Sequence, residues 1–352
     1  MTSSFSQKRT RVLIVDDSAT MRHIIREILS ADPQLEVVGE ACDPHQACEA
    51  IKSLDPDVIT LDVEMPNMNG LDFLERLMRL RPMPVVMVST LTSRGAETTI
   101  RALELGAFDC VAKPRLNDPD SIGHLGQMVK LAAASRSRSR DTAPAPATPA
   151  IRALPGIAPP VNRLVAIGSS TGGVEALITL IGAFPENCPP TVITQHMPAL
   201  FTKPFAARLD RLCAPKVTEA WHGAPVEPGC VYVAPGGKAH LTVRGKPGAL
   251  RCHLVESDLV NGHRPSVDVL FHSVAQAVGG KSAGVILTGM GRDGALGLAA
   301  MRKEGAITLG QTEETCIVYG MPKAAFEIGA VEKQVPLHNM AAELFAALAD
   351  KR

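Results

Sequence analysis

Short apolar runs, each followed by a segment with apolar positions at helical spacing, recur along the first third of the chain. Residues 11–15 (RVLIV) end at Asp16-Asp17, and residues 19–29 then carry Met21, Ile24, Ile25 and Ile28 along one helical face. The same alternation gives strands over 36–40, 58–61, 84–88 and 109–112, with helices over 45–53, 70–79, 97–105 and 121–134. Apolar runs without internal polar alternation read as strands buried on both faces. Strand–helix alternation of this kind predicts a doubly wound parallel (βα)5 sheet, with its site at the carboxyl ends of the strands.

The pattern lapses over residues 132–160, a Pro-, Ala- and Arg-rich stretch whose composition predicts a partly extended, unpacked linker. It resumes with Leu164-Val165-Ala166-Ile167, followed by GSSTGG (Gly168–Gly173) and a helical segment over 174–184. A strand over 191–194 runs into Gln195-His196-Met197-Pro198, ahead of a helix over 201–212. Shorter strands over 216–220, 231–234, 240–243 and 250–255 are punctuated by Gly and Pro, as a partly antiparallel region would be. A helix over 266–278, a strand over 283–287 and helices over 294–304 and 319–328 complete a second α/β domain, its sheet mainly parallel with an antiparallel portion. The predicted division is 10–131, a linker over 132–160, and 161–352.

Composition narrows the class. Lysine plus arginine and aspartate plus glutamate number 36 each, so no global field steers the chain toward nucleic acid or an anionic membrane. Eight scattered cysteines, with no CxxC, suit reduced thiols in a cytoplasmic protein rather than a disulfide framework. Neither a signal core nor a run of membrane-spanning length is present in the sequence, which excludes direct membrane insertion.

Chemistry collects at the predicted strand ends of the first domain. Asp16 and Asp17 follow its first strand, Asp62 the third, Ser89 the fourth and Lys113 the fifth. Three carboxylates on one edge make a hard-oxygen site suited to Mg2+. A lysine and a hydroxyl beside them can hold a phosphoryl group, with Asp62 as the nucleophile that becomes an aspartyl phosphate. Any one of these acids alone reads as an ordinary strand-end residue; five matched positions do not.

In the second domain Gly168-x-Ser170-x-Gly172 fits a nucleophile elbow, a sharp strand-to-helix turn that lifts a serine hydroxyl above the sheet edge. The bland alternative is a phosphate-cradling or plain glycine turn. His196 and Asp293 also follow apolar strands, so the three can meet in one crevice, with Ser170 attacking, His196 carrying its proton and Asp293 orienting the imidazole. A main-chain N–H near Met290, between Gly289 and Gly291, is a candidate oxyanion donor. Rivals remain: His263 with Asp268, and His240, rank lower because they fall in loops or on a helix. The ten histidines show no HxxxH or comparable ligand spacing, which disfavours a metal hydrolase.

The Asp16-Asp17 pair, DVEMPNMNG around Asp62, Ser89 and the Lys113-Pro114 step resemble a response-regulator receiver. That resemblance implies Mg2+ held by Asp17, Asp62 and the main-chain oxygen of Glu64, with Asp16 nearby. Cys110 stands where the family usually has an aromatic switch residue. GSSTGGVEAL, TQHMP, RPSVDVLF, LTGMGRDGA and the YGMP step resemble the catalytic domain of chemotaxis protein-glutamate methylesterases (CheB).

Together the two resemblances cover nearly the whole chain. They imply hydrolysis of glutamate methyl esters, and deamidation of glutamines, on the cytoplasmic helices of methyl-accepting chemoreceptors. A chemotaxis histidine kinase is implied as phosphodonor, and no cofactor for the ester hydrolysis itself. The family's nucleophile, base and acid match Ser170, His196 and Asp293, and Thr171 and Met290 match supporting positions. Ser169, where alanine is common, puts a second hydroxyl beside the nucleophile. Two readings from other classes are a receiver-controlled nucleotide-binding module and a DNA-binding output. Val174-Glu175 after the glycine turn speaks against the first, and charge balance and β content speak against the second.

Overall fold

The computed structural model describes residues 8–65, 70–90, 93–114, 119–141, 163–246 and 248–350. The chain divides into two compact units between residues 146 and 147. That boundary, and the part of the predicted 132–160 linker from residue 142 on, lie outside the described residues.

In the first unit β1 (Thr10–Val15), α1 (Ala19–Ser30), β2 (Leu35–Ala41), α2 (Pro44–Leu54), β3 (Val58–Asp62), α3 (Gly70–Leu80), β4 (Val85–Ser89), α4 (Ser93–Glu104), β5 (Asp109–Ala112) and α5 (Pro119–Asp141) alternate strictly. The five strands pair in the order β2-β1-β3-β4-β5, all parallel. Every residue of β3 and β4 is buried, which is why these segments read as unbroken apolar runs. Leu13, Ile59, Leu61 and Met87 from the sheet pack with Ile51, Phe73, Leu74 and Leu77 from α2 and α3. Each such fully buried side chain contributes about 1.5–3 kcal/mol. Ser18 caps α1 by accepting the Met21 N–H, and Asp43 caps α2 by accepting that of Gln46.

One expectation is corrected here. The helix predicted over 121–134 continues to Asp141, into the stretch assigned to an extended linker from residue 132. Alanine and arginine are strong helix formers, and the Ala132–Ala134 run carries the backbone forward where no proline yet interrupts it.

The second unit contains β6 (Leu164–Ser169), α6 (Gly173–Gly182), β7 (Thr191–Gln195), α7 (Ala199–Leu212), β8 (Lys216–Glu219), β9 (Cys230–Val233), β10 (His240–Arg244), β11 (Arg251–Val255), α8 (Val267–Ala277), β12 (Ser282–Ile286), α9 (Ala295–Lys303), β13 (Ile307–Gln311), α10 (Met321–Glu327), β14 (Lys333–Val335) and α11 (Met340–Asp350). Seven strands form one parallel sheet in the order β14-β13-β12-β6-β7-β9-β8. The antiparallel portion is the separate β10–β11 pair, against which α8 packs. The chain passes from β6 to β7 on one side and later sets β12 on the other, so a crevice opens beyond the carboxyl end of β6. The sequence reading did not include β13, β14 or α11. β14 is a three-residue edge strand starting with exposed Lys333, too short and polar for a periodic signal.

Candidate active site

Ser170 and His196 directly follow the adjacent strands β6 and β7, and Asp293 lies in the loop between the carboxyl end of β12, on the other side of β6, and α9. Ser169 and Gln195 are register partners, so Ser170 and His196 leave neighbouring strands at the same level, and the His196 N–H donates to Ser169 O at 3.1 Å. Gln195, which sequence reasoning missed, ties the two strand ends together. Its Nε2 donates to the carbonyls of Ser170 (2.9 Å) and His196 (3.1 Å), and its Oε1 accepts the Ser169 hydroxyl at 2.6 Å. Ser169 is fully buried and its hydroxyl is committed to that bond, whereas Ser170 is only half-buried.

The turn after β6 is pinned from the β12 side. Ser170 N–H donates to Thr288 O (3.0 Å), Thr288 Oγ1 donates to Thr171 O (3.0 Å), and Thr288 N–H donates to Gln311 Oε1 (2.8 Å). Gly289 sits so close that a Cβ there would come within 2.7 Å of Ser170 Cβ, so the approach needs a bare backbone. Gly289 itself is held by its N–H to Val318 O and by the Met321 N–H on its carbonyl. The neighbouring Met290 N–H has no acceptor among the described residues.

His196 Nε2 lies 2.8 Å from Asp293 Oδ2, with the two side chains 7% and 1% exposed. The other ring nitrogen, Nδ1, is buried without a hydrogen-bond partner. Asp293 also accepts from Asn261 Nδ2 (2.9 Å), Ser266 Oγ (2.8 Å) and the N–H groups of Val267 (2.7 Å) and Asp268 (3.2 Å). Burial alone would raise its pKa; the hydrogen bond and charge of His196, then Asn261 and Val267, hold it well below the usual carboxylate range. A carboxylate so heavily donated to is a fixed anion, able to hold the His196 N–H and to stabilise an imidazolium.

The rival residues fall into structural places. His240 is not in a loop; it opens β10, fully buried, with Nε2 on Asp258 O (2.9 Å) and Nδ1 accepting the Ser266 N–H (3.0 Å). Asp268 accepts from Gly297 N–H (2.7 Å) and Asn261 Nδ2 (2.8 Å). Burial and the nearby Asp293 raise its carboxyl. His263, ranked low for its loop position, lies against the site: its ring stacks on that of His196, centroids 3.7 Å apart and planes 9° from parallel.

In the first unit, ligand atoms of Asp16, Asp17 and Asp62 fall within 4.8 Å of one another. Lys113 Nζ reaches Asp62 Oδ2 at 2.8 Å and Asp16 Oδ2 at 3.2 Å. The latter oxygen is buried and has no partner beyond that ion pair, which leaves lone-pair capacity. This all-oxygen, partly unsatisfied set fits a hard divalent cation. Burial raises the Asp62 carboxyl, an effect that Lys113 opposes and Asp16 reinforces. Burial would lower Lys113, but the two carboxylates hold it above its ordinary value. Ser89 is buried at the end of β4, its Oγ on Thr90 O (3.2 Å), and Glu64 donates its N–H to Asp62 Oδ1 (3.2 Å). Cys110 lies on β5 with Sγ 3.5 Å from Thr99 Oγ1, and burial pushes its thiol up to about 12.

Among the described residues no helix is long and apolar enough to cross a membrane. Residues 165–344 match the family described as CheB methylesterase, and residues 12–122 match the response regulator receiver domain. The chain is 62% identical to the "Protein-glutamate methylesterase/protein-glutamine glutaminase 1" of Caulobacter vibrioides, over 94% of this chain and 96% of that one. It is 58% identical to the corresponding protein of Rhizobium etli, over 97% of each. Among solved structures, the Thermotoga maritima CheB methylesterase catalytic domain aligns with a TM-score of 0.51 at 39% identity, covering 53% of this chain and 98% of that one.

Proposed function

The chain belongs to the CheB methylesterase family, and from that membership and the site geometry we propose a phosphorylation-activated hydrolase of chemoreceptor side chains. It removes methyl esters from glutamates of chemoreceptor cytoplasmic helices and deamidates glutamines there, in the cytoplasm. The observation that carries the mechanism is the His196 imidazole, anchored through Nε2 to a fully satisfied Asp293 while its buried Nδ1 stays without a partner. Nδ1 accepts the Ser170 hydroxyl proton as the serine oxygen attacks the ester carbonyl. Asp293 stabilises the resulting imidazolium, which returns the proton to the departing methoxide, releasing methanol. Water then attacks the acyl-enzyme with His196 again as base. A glutamine substrate follows the same steps and releases ammonia. The Met290 N–H supplies a donor for the tetrahedral oxyanion, a contribution typically of about 10²–10³ in rate. Thr171, whose carbonyl is held by Thr288, supports the turn.

In the receiver, Asp17, Asp62 and the main-chain oxygen of Glu64 would hold Mg2+, with Asp16 beside them. That ion would neutralise phosphoryl oxygens. Asp62 takes the phosphoryl group from a chemotaxis histidine kinase, while Lys113 and Ser89 hold its oxygens. Phosphorylation changes the receiver surface and shifts the population toward the state in which the Ser170 crevice admits a receptor helix. The receiver runs from residue 10 to the end of α5, and the hydrolase spans 161–352.

Methanol release from a methylated receptor cytoplasmic fragment tests this reading, with and without Mg2+ and a small-molecule phosphodonor. The expected result is release that the phosphodonor accelerates and that Ser170→Ala abolishes, while Ser169→Ala retains it. Full activity in Ser170→Ala would overturn the assignment.

A further inference from the structure

His263 and Asn261 take no part in the reaction as proposed, yet both reach the His196–Asp293 pair. They belong to one turn. Val260 N–H donates to His263 O at 3.1 Å and His263 N–H to Val260 O at 2.9 Å, closing a two-residue hairpin on both sides. Asn261 and Gly262 between them have φ of 52° and 79°, the paired left-handed conformation of a type I′ turn, for which Asn-Gly is the preferred sequence. From this turn Asn261 Nδ2 donates to Asp293 Oδ1 (2.9 Å) and Asp268 Oδ2 (2.8 Å), bridging two buried carboxylates that repel one another. Two residues on, His263 lays its ring flat on His196.

We infer that the Val260–His263 turn is a clamp that sets the plane of the His196 ring, with His263 and Asn261 as positioning residues for proton transfer at Nδ1. The single bond from Nε2 to Asp293 fixes one ring atom and leaves the plane free to rock, since χ2 of histidine is a broad, soft torsion. A parallel ring at 3.7 Å closes one face to that motion. The same turn grips the orienting acid through Asn261, so base and acid are referred to one rigid piece of backbone. Without the stacked ring the base remains present and paired, but Nδ1 spends less time aimed at the serine. A misplacement of about 1 Å in such a group can cost on the order of 100-fold in rate.

This inference rests on the Ser170–His196 reading, and the test separates the two. Steady-state methanol release from a methylated receptor fragment is measured for the full chain with Mg2+ and phosphodonor. The parent is compared with His263→Leu, His263→Phe, Ser170→Ala and His196→Ala. Leucine fills the volume without a flat face, whereas phenylalanine restores the face without a titratable nitrogen. The expected result is a kcat lowered roughly 10- to 100-fold by His263→Leu with KM within about twofold, and kcat restored to within a few-fold of the parent by His263→Phe. Equal kcat in the Leu and Phe variants, whether both parental or both reduced, would overturn the clamp while the loss in Ser170→Ala and His196→Ala left the triad standing. Should His263→Leu fail to fold, as judged by Trp221 fluorescence, His263→Ala takes its place: a kcat at least about 10-fold below that of His263→Phe supports the clamp, and equal kcat in the two overturns it. Activity surviving in Ser170→Ala would instead remove the reading on which the clamp depends.

Discussion

Asp62 ends a central parallel strand and Asp293 lies in the loop that follows one, and both are 1% exposed. Their surroundings differ in the number of donors. Asp293 accepts from an imidazole, an amide, a hydroxyl and two main-chain N–H groups. Asp62 accepts from Lys113 and the Glu64 N–H, and faces Asp16 and Asp17. The pKa shifts run in opposite directions accordingly, Asp293 well below the carboxylate range and Asp62 raised from its ordinary value. A saturated carboxylate is held still and orients a neighbour; an under-donated one keeps lone pairs for a cation and for an incoming phosphoryl group. Depth of burial does not tell the two apart, but the donor count does.

The largest test of that contrast is Asp293→Asn. An amide cannot accept all five donors, and its NH₂ would turn the imidazole toward the wrong tautomer. Ester hydrolysis should fall by about 10⁴-fold, as removal of an orienting carboxylate does elsewhere. A loss under 10-fold, with the protein folded, would mean that Asp293 holds structure and not the base. The counterpart, Asp62→Asn, should remove covalent phosphoryl incorporation and all phosphodonor stimulation of methanol release. Incorporation that persists in that variant would move the acceptor to another carboxylate of the cluster.

Much of this contrast was readable in sequence, because both sets of residues sit where apolar runs stop. Asp16, Asp62, Lys113, Ser170 and His196 each end or follow such a run, and parallel strand ends converge whatever the loops do. The residues that saturate Asp293 were not readable: Asn261 and Ser266 act through side-chain contacts that no local periodicity encodes, and so does Gln195 between the Ser170 and His196 strand ends. Ser266 reaches across 27 positions and Asn261 across 32. His263 was ranked low by its loop position, although the Asn261-Gly262 pair was a visible hairpin signal that places it. Likewise β13, with Gly310 and Gln311 in a five-residue strand, carries little apolar pattern while supplying the side chain that fixes Thr288.

The opposite shifts also predict opposite responses to acid. Asp293, depressed in the folded state, contributes stability that is present above the unfolded carboxylate pKa of about 3.9 and is lost as pH falls toward its folded value. Asp62, raised in the folded state, behaves in reverse: its ionised form opposes folding, and the penalty lifts as pH falls through the raised pKa. Urea unfolding of the hydrolase unit, followed through Trp221, should show the midpoint of the parent dropping between pH 5 and 3 more steeply than that of Asp293→Asn. Parallel pH profiles for the two would remove the linkage.

The smallest effect lies in the receiver. Replacing Asp62 by Asn takes one charge out of a buried acidic cluster, relieving the repulsion from Asp16 and the desolvation that raises the carboxyl. Lys113 loses its 2.8 Å partner but keeps Asp16 at 3.2 Å, so the ammonium is not left without a counter-charge. The net change at neutral pH should be stabilising. It should vanish in acid, where Asp62 in the parent is itself protonated. Trp221 lies in the other unit and does not report on this one. Amide hydrogen exchange of peptides covering β1, β3 and β4 in the full chain does, and should slow severalfold in Asp62→Asn at pH 7 without magnesium. Faster exchange would mean that the Lys113–Asp62 pair contributes more than the cluster's repulsion costs, and that the two aspartates differ less than their donor counts suggest.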